Sequence, residues 1–263
     1  MRILRESAGV IAIWKPAGLA TQAPPGIDSA ESWLRERLYG GDPRGYVGVP
    51  HRIDRGVSGV VLFAATPRAA RKLSRQFERR QVRKTYLAIV ATGPTADPHV
   101  ASLEAAARDV APSGDDDELR FRPGAVRWED TLLKIPDQAK ARIAALGEPQ
   151  SREAVTFARF VRRFSSHRLL LELEPVTGRM HQLRLQAAVR GLPILGDDLY
   201  GGPVEPWNGK APASAAGDSP DTADARSRSI ALHAARIVYA DPDSGEAVSV
   251  EAPLPDDWPI TAG

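Results

Sequence analysis

Hydrophobic and polar residues follow two different periods along this chain, and together they predict a mixture of strands and helices. Apolar runs that are continuous or alternate every second residue are typical of strands, and they occur at residues 10–14, 60–64, 84–90, 155–161, 169–174 and 230–239. These runs are not joined by a regular strand–helix–strand alternation. The pattern therefore favours the α+β fold class over a parallel α/β sheet.

Three helices are predicted, the first two from their start signals. Asp28, with Glu31 three residues later, predicts the N-cap of a helix that runs to about residue 38. Thr66 followed by Pro67 predicts the start of a second helix, whose apolar side chains share one face while its arginines point to solvent. A third helix is expected over residues 181–189.

Two long segments show no clear period. Residues 93–149 are mixed and polar, and we expect a hairpin or a thumb-like excursion there. Residues 203–229 are rich in Gly, Pro, Ala, Ser and Asp, which predicts a flexible surface loop. No internal repeat is visible, and the length suits one large domain, so we expect residues 1–263 to form a single domain of two subdomains.

The composition excludes several classes of protein. The chain contains no cysteine, which rules out disulfides, a thiolate nucleophile and sulfur-ligated metals. It has no apolar run near the roughly 20 residues that cross a bilayer, and its first residues lack the long apolar stretch of a secretory signal. We therefore expect a cytoplasmic protein without membrane contact, and take a monomer as the default oligomeric state.

Basic residues are unevenly distributed although the formal net charge is only +2. Residues 68–84 contain eight Lys or Arg against one acid, and residues 151–190 contain eight arginines against three acids. The acids gather elsewhere, as in the DDDE run at 115–118. Such segregation can focus an electric field on a polyanion, so the two clusters indicate RNA or DNA as a partner; for the first cluster alone, a solvated helix face is the simpler explanation.

Five segments carry a resemblance to a known family. They are WKPAGL at 14–19, HRIDRGVSGVVLFAAT at 51–66, RKTYLAIV at 83–90, TGRMHQLRLQAAVRGLPILGDDLYGG at 177–202 and, more weakly, ALHA at 231–234. In this order they resemble the RluA-type family of RNA pseudouridine synthases. The resemblance implies a central mixed, largely antiparallel sheet flanked by helices and loops. Because the Lys-Pro motif begins at residue 15, we expect the form that lacks the N-terminal S4-like RNA-binding domain.

The same resemblance implies an activity and a set of site residues. The family isomerises a uridine in folded RNA, replacing its N1–C1′ bond by a C5–C1′ bond, with neither metal nor organic cofactor. Its catalytic aspartate falls on Asp54, its active-site tyrosine on Tyr86 and its carboxylate-pairing arginine on Arg184. The residues expected to bind substrate are Lys15, His51, Arg52, Arg179, His181, Gln182 and Leu232. Among them, Lys15 is expected to be either structural or RNA-facing, and Leu232 to pack beneath the base pocket.

Elementary chemistry suits these assignments. Breaking the glycosidic bond builds positive charge at the sugar, which a carboxylate such as Asp54 can stabilise. Asp54 could assist departure of the base, attack C1′ or add to C6, and all three need the anion, which a nearby guanidinium such as that of Arg184 favours. Arg52 could occupy the stack vacated by the base or contact a phosphate or carboxylate. Tyr86 could stack on the uracil, and a phenol with an ordinary pKa of about 10 would need activation to act as a base.

Three residues depart from the family pattern, and two other functions compete with pseudouridine synthesis. Ile53 stands where the family usually has leucine, Met180 where it usually has threonine or serine, and Gln186 where histidine is common. The change at Gln186 could affect RNA contacts more plausibly than chemistry. The histidines of the motifs lack metal-site spacing, which favours supporting hydrogen bonds. A catalytically silent RNA-binding or ribosome-assembly protein is the main alternative. A nucleoside glycosidase is disfavoured because it would not need the two basic clusters.

Overall fold

The computed structural model describes residues 1–108, 123–204 and 229–258 of the chain. The loop predicted at 203–229 lies almost wholly outside these residues, so that prediction stays untested. The described residues divide into two compact units. The terminal unit contains Met1–Lys84 and residues 229–258, and the central unit contains residues 85–204.

The secondary structure mixes strands and helices along the whole chain. In chain order the described elements are β1 (Arg2–Ser7), β2 (Val10–Lys15), α1 (Ala30–Tyr39), β3 (Ser58–Ala64), α2 (Pro67–Glu78), β4 (Arg83–Ala91), α3 (Asp97–Arg108), β5 (Ala125–Lys134), β6 (Ala141–Ile143), β7 (Arg152–Ser165), β8 (Arg168–Pro175), α4 (Gln182–Ala188), a short 3₁₀ turn (Asp198–Tyr200), β9 (Leu232–Ala240) and β10 (Ala247–Glu251). None of the described helices is long and apolar enough to cross a membrane.

The terminal unit is built on buried β3. Strands β1, β2 and β3 pair antiparallel, β3 then pairs in parallel with β9, and β9 pairs antiparallel with β10. Gly59 allows the close approach of β3 to β9, because its φ is +122° and a Cβ there would lie 2.3 Å from the carbonyl oxygen of Ala234. A glycine at this position of the HRIDRGVSG segment is therefore required by packing.

The helix start signals are confirmed with one shift. Ser29, not Asp28, is the N-cap of α1: its hydroxyl accepts from the backbone N–H of Ser32, whose own hydroxyl accepts from the N–H of Ser29. The predicted cap was wrong by one residue because Asp28 and Ser29 are both good caps. Thr66 caps α2 as expected, with its hydroxyl accepting from Ala69 N–H at 3.2 Å.

The central unit is an antiparallel sheet in the order β4, β8, β7, β5, β6. Strands β5 and β6 form the hairpin that was expected within 93–149. Helix α3, which precedes them, was not predicted, although Asp97 and Pro98 in its first turn are a helix start signal. The α+β class with a mixed, largely antiparallel sheet is thus confirmed in the described parts of the chain.

Candidate active site

The loop that carries Asp54 is hydrogen-bonded to the loop that follows β2. Gly18 N–H donates to the carbonyl of Arg55 at 2.8 Å, and Nε of Arg55 donates back to the carbonyl of Gly18 at 2.9 Å. The Thr21 hydroxyl bonds both the N–H and the carbonyl of Ile53, at 3.2 and 2.9 Å. These bonds fix the backbone on both sides of Asp54, whose own side chain is half-buried.

Lys15 lies beneath this loop, at the end of β2, and is 0% exposed. Its ammonium donates to the carbonyls of Pro16, Leu19 and Arg55 at 2.8, 2.6 and 3.3 Å, which uses all three N–H groups of the charged form. Burial lowers the pKa of Lys15 to about 7, and the charge of Asp54 opposes that shift. Of the two roles expected for Lys15, this burial favours support of the Asp54 loop over contact with RNA.

His51 joins the same loop to β3 and α2. Its Nε2 accepts from Leu62 N–H at 2.9 Å, and its ring stacks on Phe77 with centroids 4.5 Å apart. Burial, with a smaller contribution from the charge of Lys84, lowers the pKa of His51 to about 3. The ring is therefore neutral near pH 7 and acts as a hydrogen-bonded support; direct contact of His51 with substrate stays a prediction.

The other residues expected to bind substrate in the terminal unit differ in exposure. Arg52 is exposed, which suits a side chain that reaches into RNA. Leu232 is buried at the start of β9, and the neighbouring Ile230 N–H donates to the carbonyl of Gly56 at 3.0 Å. The structure therefore brings Leu232 to the Asp54 loop as a packing residue.

His233 was noted in the sequence but not assigned to the site. Its Nε2 donates to the carbonyl of Ala252 at 3.2 Å, so in the neutral ring Nδ1 accepts from the Ser58 hydroxyl at 2.8 Å. Burial lowers the pKa of His233 to about 4. This histidine is a structural link between β3, β9 and the chain that follows β10.

In the central unit, Tyr86 lies on β4 opposite Leu173 of β8 and is half-buried. Gln182, the first residue of α4, is buried, and its amide is bonded on both sides. Its oxygen accepts from the Thr177 hydroxyl at 2.7 Å and from Arg179 N–H at 3.1 Å, and its nitrogen donates to the carbonyl of Val155 at 3.0 Å. Gln182 thus holds the Thr-Gly-Arg turn against β7, and a role in RNA contact stays a prediction.

Arg184 forms an ion pair that was not predicted. Its Nε and Nη2 donate to the two carboxylate oxygens of Asp197, each at 2.7 Å, and its guanidinium lies over the Tyr200 ring at 5.3 Å from the centroid. The Tyr200 hydroxyl also lies 3.0 Å from Nδ1 of His181. The segment that contains Asp197 and Tyr200 carried the family resemblance, yet nothing in its local pattern indicates that Asp197 is buried against an arginine.

Gln186 lies in the core of the central unit and is 0% exposed. Its oxygen accepts from the Thr156 hydroxyl at 2.6 Å, and its nitrogen donates to Asp130 at 2.7 Å and to the carbonyl of Ala154 at 3.1 Å. The expectation that Gln186 affects RNA contacts is therefore wrong, because its amide is fully buried and is hydrogen-bonded to protein groups through both its oxygen and its nitrogen.

The structure gathers the predicted residues in two groups. Lys15, His51, Arg52, Asp54 and Leu232 belong to the terminal unit. Arg179, His181, Gln182 and Arg184 belong to the central unit together with Tyr86. The expected pairing of Arg184 with Asp54 would join the two groups and stays a prediction.

Comparison with known proteins identifies the family. Residues 9–189 match the family model described as RNA pseudouridylate synthase. This match covers more than half of the chain, so the chain belongs to the RNA pseudouridylate synthase family and is an enzyme that isomerises uridine in RNA to pseudouridine. The resemblance to RluA-type pseudouridine synthases is thereby confirmed.

Individual relatives match nearly the whole chain. Ribosomal large subunit pseudouridine synthase D of Xanthomonas campestris pv. campestris is 32% identical over 268 residues, which are 98% of this chain and 67% of the relative. Ribosomal large subunit pseudouridine synthase C of Rickettsia bellii is 29% identical over 257 residues, which are 96% of this chain and 68% of the relative.

The solved structure of human RNA Pseudouridylate Synthase Domain Containing 4 has a TM-score of 0.63 and 23% identity, covering 97% of this chain and 88% of that one. Human RNA Pseudouridylate Synthase Domain Containing 1 has a TM-score of 0.61 and 20% identity, covering 96% and 83%. At these identities the likeness shows the fold alone.

Proposed function

We propose that this enzyme converts specific uridines of structured RNA to pseudouridine, with RNA of the large ribosomal subunit as its first candidate substrate and transfer RNA as the second. The names of the curated relatives support the ribosomal candidate. The observation that carries the proposal is the Asp54 loop, whose backbone is fixed on both sides of the carboxylate by Lys15, Gly18 and Thr21. We further propose that both units form one catalytic domain that works as a cytoplasmic monomer without metal or organic cofactor.

Access to the uridine requires extrusion of the base. A uracil stacked in a helix is out of reach, and flipping it out costs a few kcal/mol, less in a loop or bulge. Arg52 is exposed and only two residues from Asp54, so its guanidinium can fill the vacated stack and offset part of this cost. A stem-loop is therefore the favoured RNA substrate.

Asp54 then supplies the carboxylate on which the rearrangement depends. It can assist departure of the base, attack C1′ or add to C6, and each route requires the anion. Two cations support that form in the proposal: buried Lys15, which interacts electrostatically with Asp54 within the terminal unit, and Arg184 of the central unit.

Tyr86 is assigned to the base. Its ring suits stacking on the extruded uracil, since an aromatic ring with a polar tip binds a flat polar base well. After the C5–C1′ bond has formed, a proton must leave C5, and the Tyr86 hydroxyl or a water that it holds is the candidate acceptor. Its half-buried position on β4 is compatible with both roles.

The outer face of α2 is the proposed binding surface for the RNA backbone. Arg71, Arg75 and Arg79 follow each other at intervals of four residues, are exposed, and make no ion pair with a described residue. On the inner face, the Phe77 ring stacks on His51, three residues before Asp54. A phosphate bound by these arginines would therefore contact the helix whose Phe77 packs on the loop of the catalytic carboxylate.

Tritium release from RNA labelled at uridine C5 tests the proposed substrate. RNA from cells lacking this protein would be separated into ribosomal and transfer fractions and given to the wild-type enzyme. C5 loses its hydrogen only when the carbon–carbon bond forms, so release from the ribosomal fraction supports the proposal. Release from transfer RNA alone would move the assignment to the second candidate, and release from neither would contradict the proposed function.

A further inference from the structure

Two exposed tyrosines lie at the loop that follows α1 in the terminal unit, residues 40–48. Tyr39 is the last residue of α1 and is 37% exposed, and Tyr46 lies near the end of the loop and is 40% exposed. The chain has five tyrosines, and the other three are half-buried or buried. Because an exposed aromatic ring with a polar tip can stack on another flat polar ring, these two side chains are candidates for a binding site.

Hydrogen bonds fix the backbone of this loop. The Tyr39 hydroxyl donates to the carbonyl of Tyr46 at 3.1 Å, and Nε of Arg35 donates to the carbonyl of Gly45 at 3.3 Å. At the end of the loop, Gly48 exchanges two backbone hydrogen bonds with Ala64 of β3, at 2.8 and 2.9 Å. The backbone that carries Tyr46 is therefore attached to α1 on one side and to β3 on the other.

Two glycines of the loop make room for the tyrosine rings. A Cβ at Gly45 would lie 2.3 Å from Cδ2 of Tyr39. A Cβ at Gly48 would lie 3.0 Å from the hydroxyl oxygen of Tyr46 and 2.9 Å from Cβ of Ala70 in α2. The rings thus pack against backbone that carries no side chain, and Tyr46 lies where the loop meets α2.

This contact brings Tyr46 to the helix whose outer face is proposed above to bind the RNA backbone. Ala70 is followed in α2 by Arg71, with Arg75 one turn further on, and both arginines are exposed. Proteins bind unpaired nucleic acid through this combination, because cations follow the phosphates while every base has a flat face that stacks on an aromatic ring. Arginines alone fit a duplex as well as a single strand, whereas an exposed ring favours an unpaired base.

We propose that Tyr46 is a stacking site for an unpaired base of the RNA substrate, with the neighbouring phosphates on Arg71 and Arg75, and that Tyr39 supports this site. The inference rests on the RNA binding proposed for α2 and extends it from phosphates to bases. The stacked base is not the uridine that reacts, which is assigned to Asp54 and Tyr86. The enzyme should therefore favour RNA that has a single-stranded segment close to the target uridine.

The test compares the binding of two RNA probes that contain no uridine and therefore cannot react. One probe is a single-stranded cytidine oligonucleotide of about ten nucleotides, and the other is a G·C duplex of the same length. Dissociation constants would be measured by fluorescence anisotropy on the full chain, with folding checked by circular dichroism. Tyr46→Leu should weaken binding of the single strand about tenfold, because it removes one base–aromatic stack, and should change duplex binding less than about twofold.

Three further variants distinguish stacking from other effects. Tyr46→Phe retains the aromatic ring and should bind the single strand within about threefold of wild type. Arg75→Gln removes a partner for phosphate and should weaken the binding of both probes. Ile27→Ala shortens an apolar side chain that is 53% exposed in the same unit, and it should change neither dissociation constant.

A photochemical measurement on the wild-type chain does not depend on the folding of any variant. A single-stranded probe that carries 5-iodocytidine should crosslink to Tyr46 on irradiation, and the attachment site would be identified by mass spectrometry. Crosslinks at other residues alone would contradict the proposal. So would equal single-strand binding by wild type and folded Tyr46→Leu, or an equal loss for both probes in that variant.

Failure of this inference can be distinguished from failure of the proposed function. Tritium release from RNA by a wild-type enzyme that binds neither probe would overturn the stacking site alone and favour a protein partner for the two tyrosines. Absence of both tritium release and probe binding would overturn the proposed function together with the stacking site.

Discussion

Asp54 and Arg184 are held in place by different means. The Asp54 loop is fixed through its backbone, with bonds to the main-chain groups of Ile53 and Arg55 and a buried ammonium beneath. Arg184 is fixed through its functional group, which is itself one half of an ion pair with Asp197. The first arrangement fixes the main chain on both sides of the carboxylate, whereas the second shares the charge of the arginine with a buried aspartate.

The difference predicts where each region is sensitive. Around Asp54, stability should depend on the residues that bind carbonyls, and on their protonation. Around Arg184, stability should depend on charge balance within the pair, because removing one partner of a buried pair leaves the other uncompensated.

Replacing Lys15 should produce the largest loss of stability. Lys15→Met leaves three carbonyls without the donor that they share, which should lower the free energy of unfolding by on the order of 3 kcal/mol. Urea unfolding at pH 6, below the pKa of about 7 for this lysine, measures the effect with Lys15 charged. Lys72→Met is the control, because Lys72 donates to a single carbonyl, that of Pro242. Equal losses for the two variants would show that the loop does not depend on Lys15.

His51 should make the protein sensitive to mild acid. Its pKa is about 3 in the folded chain against an ordinary value of 6.5, so between these values the unfolded chain binds a proton that the folded chain does not. The free energy of unfolding must then fall as the pH drops below 6.5, by about 2 kcal/mol at pH 5 from this residue.

The measurement is urea unfolding of wild type and His51→Gln at pH 7 and pH 5. Glutamine can accept the Leu62 hydrogen bond without taking a proton, so this variant should lose about 2 kcal/mol less than wild type over that range. His167→Gln, at an exposed position, should behave as wild type. The same acid sensitivity in His51→Gln would contradict the assignment.

Neutralising the outer face of α2 should have the smallest effect on the fold and a clear effect on RNA binding. The triple variant Arg71→Gln, Arg75→Gln, Arg79→Gln removes three exposed charges and should reduce the salt slope of RNA binding by roughly 2 to 3. The matched control removes three exposed arginines from other elements of the terminal unit, through Arg2→Gln, Arg37→Gln and Arg236→Gln.

The control distinguishes the effect of a local binding surface from the effect of a lower net charge. The two triple variants have the same charge, so a local contact should change the slope only in the α2 variant. Equal slopes for both variants would make α2 an ordinary solvated helix face.

The strands and motifs were predictable because their signals are local. Apolar periodicity located β2, β3, β4, β7, β8 and β9, and the capping residues located α1 and α2. Edge strand β1 was missed because its residues are exposed or half-buried and show no alternation. A strand that is stabilised mainly by pairing with its neighbour need not show an apolar period in its own sequence.

The site residues that were missed depend on long-range packing. Asp197 is a surface residue by type, yet its side chain is fully buried against Arg184 of α4. The Lys-Pro motif identified Lys15, but its burial beneath the Asp54 loop involves the carbonyl of Arg55, which is distant in the sequence. Sequence patterns therefore located the reactive groups better than the residues that hold them.

The most direct test of the proposed chemistry is pseudouridine formation by Asp54→Asn alongside RNA binding by the same protein. Asn retains the size of Asp54 and removes the anion, so product should fall to background while RNA binding remains close to wild type. Asp28→Asn, at an exposed position of the same unit, should retain full activity. Substantial product from pure Asp54→Asn would contradict the role of this carboxylate. RNA binding without product in the wild-type enzyme would instead support a silent RNA-binding protein.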